Sequence, residues 1–249
     1  MLSTVGSPTN IFERHANLIS QGLKKVYGQL IFGGMDLSRF VANQVSFKLA
    51  EDISRDLLVA IQSIPFTGHD QTMLLSDPIY AFIDSTDPNI RLSSAACAMF
   101  EDAFGISRDN ATGLYLVSDT RHAALLAEDA EVTFRLRDDL TGGASVAITL
   151  PYSAFALTAM YPMVSNSSDY FPLKQATDQS QYTLGRVSLQ EAYLTVDYER
   201  GNSPSPSACG TCLQNQTLRP FIHLQIPTDL RTRKERRAHY QQECQMGQF

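Results

Sequence analysis

The sequence predicts a mainly β chain with one or two short helices. Short apolar runs recur along it, bounded by Gly, Pro, Asn, Asp or Ser. One segment alone combines clear helical spacing with a stop and a start signal at its ends. The 249 residues are 43% hydrophobic and 18% charged, enough to bury a substantial core.

Taken in order, "GQLIFGGMD" from Gly28 is an apolar run closed by Gly33 and Gly34, which suits a hairpin or tight turn. "VSFKLA" from Val45 alternates, and "LLVAIQSI" from Leu57 reads as a more buried strand. Further strands are predicted at "IYAFID", "GLYLVS", "EVTFRLRD", "SVAITLPY" and "EAYLTVDYE". The helix is "SSAACAMFEDAFG", with Ala96, Met99, Phe100, Ala103 and Phe104 at helical spacing, Ser ahead and Gly105 behind. A second, shorter helix is predicted at 123–126.

Composition changes after Asn202. "SPSPSACGTCLQNQTLRP" is Ser/Pro-rich, and the chain then becomes polar and charged. This predicts a packed domain over 28–202, a poorly defined segment at 1–27, and a linker with a poorly ordered tail at 203–249.

The net charge of −6 argues against nucleic acid as the main partner. The basic run "RTRKERR" (231–237) reads as a solvated stretch of the tail. No apolar run approaches the ~18 residues of a membrane helix, and the first residues carry no signal-peptide pattern. Sequons at Asn110, Asn166 and Asn215 favour secretion only weakly. Cys209 and Cys212 form one Cys-x-x-Cys without the second pair a structural zinc needs. The five histidines show no metal-binding or triad spacing, and the glycine pairs read as turns. No metal or cofactor is expected.

One stretch asks for chemistry. In "AFIDSTDPNI" an apolar run ends on Asp84 and is followed by Ser85 and Thr86. A carboxylate there costs free energy unless hydrogen bonds receive it, and two hydroxyls stand beside it. The pattern fits either a turn that caps a strand or a site that needs an aspartate. Downstream, "YTLGR" places Leu184 and Gly185 at the end of a β-rich stretch, where a glycine lets one backbone pass close to another.

The wider text narrows the choice. "GQLIFGGMDLSRF", "PIYAFIDSTDPNIRL" with "ACAMFEDAFG", "LYLVSDTRH", "LPYSAFALTAMYP" and "YFPLKQATDQSQYTLGRVSLQEAYLTVDYERGN" follow in order. Together they resemble the C-terminal lobe of fungal pepsin-like aspartic endopeptidases, over roughly 28–202. The resemblance implies that lobe's β fold and a peptide or protein substrate. It implies no cofactor and an extracellular or cell-surface location. Asp84 would be the second catalytic aspartate, supported by Ser85, Thr86, Leu184 and Gly185, with Thr86 in the place usually held by glycine. Cys97 would pair with Cys209 or Cys212.

The resemblance also implies half of an enzyme. The family's first Asp-Thr-Gly and its flap lie in an N-terminal lobe, and no second Asp-Thr/Ser-Gly occurs here; "SDTRH" around Asp119 lacks the apolar run and the glycine. Two carboxylates a few ångströms apart share one proton, so that one is the base for water and the other the acid. A single Asp84 therefore needs an N-terminal lobe or a second copy of the chain. The alternative expectation is a catalytically inactive fragment or degenerate paralogue acting as a β binding module.

Overall fold

Alternating apolar residues become strand along most of the chain. The computed structural model describes residues 43, 45, 47–68 and 71–197, with the backbone of short strands at 2–5, 20–21, 26–27, 30–32 and 221–225. The elements begin with β1 (Leu2–Val5), β2 (Ser20–Gln21), β3 (Val26–Tyr27), β4 (Leu30–Phe32) and β5 (Phe47–Lys48). Next come β6 (Leu58–Ser63), β7 (Pro65–Thr67), β8 (Gln71–Met73), β9 (Ile79–Ile83) and β10 (Ile90–Leu92). Helix α1 (Ser94–Phe104), β11 (Ser107–Arg108), β12 (Tyr115–Val117), α2 (Asp119–Glu128), β13 (Glu131–Arg137) and β14 (Val146–Pro151) follow. The remainder is β15 (Leu157–Ala159), β16 (Ser168–Phe171), β17 (Leu173–Gln175), β18 (Thr183–Leu184), β19 (Tyr193–Asp197) and β20 (Phe221–Gln225). The protein is mainly β with two helices.

A nine-stranded sheet forms the centre, in the order β17-β10-β18-β9-β6-β13-β7-β8 with β14 on β13. Its logic is clearest in β13 and β14. Val132, Phe134 and Leu136 are buried and lie opposite Leu150, Ile148 and Val146, also buried. Such cross-strand apolar pairs are what stabilise a sheet with one face on a core. Most pairings are antiparallel, but β9 with β18 and β10 with β17 run parallel.

Helix α1 presents Ala96, Cys97, Phe100 and Phe104 as its buried stripe. Ser93 Oγ accepts from the Ala96 N–H at 3.2 Å, and Gly105 ends the helix in the left-handed conformation at φ 60°. Arg121 of α2 donates from Nε to the Phe104 carbonyl and from Nη2 to that of Ala103, satisfying the last turn of α1 with a cation. Helix α2 is longer than the predicted 123–126, because Ser118 caps it by accepting from the Arg121 N–H. Among the described residues no helix is long and apolar enough to cross a membrane.

Phe104 is the hub of the core. Its ring centroid lies 4.8 Å from those of Phe66 and Phe171, and Phe155 stacks on Phe171 at 4.6 Å. Phe104→Ala is expected to cost about 3–5 kcal/mol, as truncation of a fully buried aromatic does. Urea unfolding should show a lower midpoint at unchanged slope; a loss below about 1 kcal/mol would contradict this packing.

Strands on either side of the boundaries expected at 28 and 202 join one sheet. A five-stranded sheet, β4-β1-β19-β20-β5, takes strands from both terminal segments. β20 pairs antiparallel with β19 from Tyr193 opposite Gln225 to Val196 opposite Ile222, and β1 pairs parallel with β19 and β4. "FIHLQ" is five residues of β-prone pattern between Pro220 and Pro227, too short to stand out from its polar surroundings. The Gly33-Gly34 turn and the 231–237 run lie outside the described residues.

Candidate active site

Asp84 stands where β9 ends. Ala81 and Ile83 are buried, while Phe82 and Asp84 fall on the other face and are half-buried. The Asp84 N–H donates to the Leu184 carbonyl at 3.1 Å. The Thr86 N–H and Oγ1–H both donate to Asp84 Oδ1, at 2.8 and 2.6 Å. Oδ1 is therefore fixed, and Oδ2 has no hydrogen-bond donor among the described residues. Ser85 makes no hydrogen bond to the carboxylate; Thr86 takes that part.

A strand from about a hundred residues later in the chain runs beside the aspartate. β18 lies between β9 and β10, parallel to the first (Thr183 opposite Phe82, Leu184 opposite Ile83) and antiparallel to the second (Leu184 opposite Ile90, Thr183 opposite Arg91). The next residue, Gly185, passes against the turn that joins β9 to β10. A Cβ there would overlap the carbonyl oxygens of Asp87 and Asn89. Only a residue without a side chain fits. The crossing is fastened by the Arg186 N–H on the Asp87 carbonyl and by Ser188 Oγ on the Gly185 carbonyl, both at 2.7 Å.

The turn has its own network. Asp87 Oδ1 accepts from the Asn89 N–H at 2.9 Å and from Asn89 Nδ2 at 2.8 Å, and Oδ2 accepts from Arg91 Nε. Burial pushes the Asp87 carboxyl up, but Arg91 and Asn89 outweigh it and hold it below its ordinary value of 3.8. The folded state thus favours the carboxylate. Its contribution to stability is complete above the unfolded value near 3.8 and is lost as pH falls through the lower folded value. Asp87→Asn should therefore flatten the acid limb of the stability curve below about pH 4. Urea midpoints between about pH 5 and pH 2 check this; parallel wild-type and variant curves would contradict it. Asp56, nearby, has its carboxyl raised, chiefly by burial, and so opposes this trend.

Asp84 opens on a cleft of about 770 Å³. Phe82, Thr86, Asp87, Thr183, Arg91 and Lys174 share its wall, and Asp56 and Arg55 stand at one side. The Arg55 guanidinium lies 5.0 Å over the Phe82 ring and donates from Nη1 to the Ser180 carbonyl at 2.8 Å.

The structure thus brings Asp84, Thr86, Leu184 and Gly185 together, with Ser85 adjacent but unbonded to the carboxylate. Sequence reasoning passed over Asp87, Asn89 and Arg91, although "DPNIR" held a signal: an Asp-Pro turn with an arginine four residues on. Among the described residues Cys97 is a free, buried thiol whose Sγ faces the carbonyls of Leu92 and Lys174, and burial pushes it up to about 11. Its implied partners, Cys209 and Cys212, lie outside the described residues.

A family model described as eukaryotic aspartyl protease matches residues 14–205. Among solved structures, the chain is similar to that of the aspartic proteinase from Irpex lacteus, at 16% identity and a TM-score of 0.47. That similarity covers 79% of this chain and 51% of the other, so the chain spans about half the length of that protein. No curated protein matches. With a family model spanning most of its length, the chain belongs to the eukaryotic aspartyl protease family.

Proposed function

We propose that this chain is the C-terminal lobe of a pepsin-like aspartic endopeptidase of the fungal type, and that Asp84 is one of its two catalytic carboxylates. The observation that carries this reading is the carboxylate at the end of β9, with Oδ1 fixed by two Thr86 donors and β18 running beneath it to Gly185. Thr86 orients the group through its N–H and its hydroxyl. Oδ2 is left to meet a water and a second carboxylate. In the assembled pair, one carboxylate takes a proton from water as it attacks the peptide carbonyl, and the other, protonated, donates to that carbonyl oxygen. The second carboxylate comes from an N-terminal lobe or from a second copy of the chain. Family membership supports an extracellular or cell-surface setting.

Pepstatin, whose hydroxyl bridges both carboxylates, tests the pairing. Titrated with the full chain, it is expected to bind in proportion to assembled sites, with Asp84→Asn weakening binding about 100-fold or more. Equal binding by wild type and variant would overturn the reading. The open cleft also suits a catalytically silent module that binds peptides; that reading predicts peptide binding indifferent to Asp84→Asn.

A further inference from the structure

The strand registers align four side chains in one row across the sheet. Phe82 of β9 lies opposite Thr183 of β18, Thr183 opposite Arg91 of β10, and Arg91 opposite Lys174 of β17. All four line the cleft that Asp84 opens on. Strands stand ~4.8 Å apart and rise ~3.3 Å per residue, so Lys174 is ~16 Å from Asp84, about four or five residues of extended peptide.

The charge along this row is uneven. At the near end Asp87 is occupied by Asn89 and Arg91. Arg91 commits only Nε to Asp87, which leaves the other guanidinium N–H groups to the cleft. Lys174 is half-buried, and its ammonium has no carboxylate partner among the described residues. Two cations side by side, one of them unpaired and partly desolvated, repel each other and favour an anion between them. A carboxylate is the peptide group that can accept from both cations at once.

We propose that the Arg91–Lys174 end of the cleft is a subsite for an acidic side chain, Asp or Glu, of a bound peptide, four or five residues from the bond that Asp84 addresses. The subsite rests on the reading of this cleft as a peptide site. It adds a substrate class: extended peptides with a carboxylate displaced to one side of the cleaved bond.

Binding separates the two claims. Capped, C-amidated decapeptides of neutral sequence, each with one Glu at a successive position and each with a Gln twin, are titrated against the full chain at about pH 6, where Glu is ionised. At one position Glu should bind about tenfold more tightly than Gln. Lys174→Gln should erase that preference and Lys174→Arg should keep it; salt from about 0.05 to about 0.5 M should shrink it. Equal binding of every Glu and Gln twin, or a preference that survives Lys174→Gln, would overturn the subsite. A Lys174-dependent preference alongside pepstatin binding indifferent to Asp84→Asn upholds the subsite and sinks the peptidase reading, whereas Asp84-dependent pepstatin binding without the preference does the reverse.

Discussion

Gly185→Ala is expected to destabilise the fold by about 3–5 kcal/mol, far beyond an ordinary glycine substitution. The new Cβ would overlap two backbone carbonyl oxygens, those of Asp87 and Asn89. Neither can swing aside freely. The Asp87 carbonyl holds the Arg186 N–H, and the Asp87 carboxylate holds both Asn89 and Arg91. Relief therefore requires either that β18 move away from β9 or that the turn open. The first breaks the Asp84 N–H bond to Leu184, and the second releases Asp87. Gly142 is the internal control. A Cβ there meets nothing within 4 Å, so Gly142→Ala carries only the strain of its left-handed φ of 72°, about 1–2 kcal/mol. Urea unfolding of the two variants should separate them clearly; a Gly185→Ala loss no larger than that of Gly142→Ala would show that the crossing is not clamped.

What the sequence revealed follows from how local each feature is. β13 and β14 were legible because alternation is written within each strand, β6 and β9 as short apolar runs, and α1 because Ser93 and Gly105 mark its ends. The pairing of these strands was not. That Leu184 lies against Ile83, or Arg91 against Lys174, depends on register between residues some eighty to a hundred positions apart, and nothing in either segment alone encodes it. The same holds for β20, five residues whose place is fixed by pairing with β19 and β5 rather than by their own pattern. Asp84 and Gly185 came forward through their family setting, whereas the choice of Thr86 over Ser85 as hydrogen-bond donor is decided by the turn's backbone. Arg91 was hidden for another reason. Its role needs Asp87 to be partly buried, and a charged turn in sequence reads as exposed.

Asp84→Asn is the measurement that bears most directly on the central claim. Asparagine is nearly isosteric, and its Oδ1 can still accept from the Thr86 N–H and hydroxyl, so the turn and the β18 crossing should persist with little change in urea midpoint. What it removes is the carboxylate that, on the proposed reading, exchanges a proton with water. The assay is cleavage of an unfolded protein substrate at acidic pH by the full chain over a range of chain concentrations. Where a second copy of the chain supplies the second carboxylate, wild-type activity per chain should rise with concentration. Asp84→Asn should lose about 10³-fold or more at every concentration while remaining folded. Cleavage by Asp84→Asn at the wild-type rate would contradict the account and place the chemistry elsewhere in the molecule.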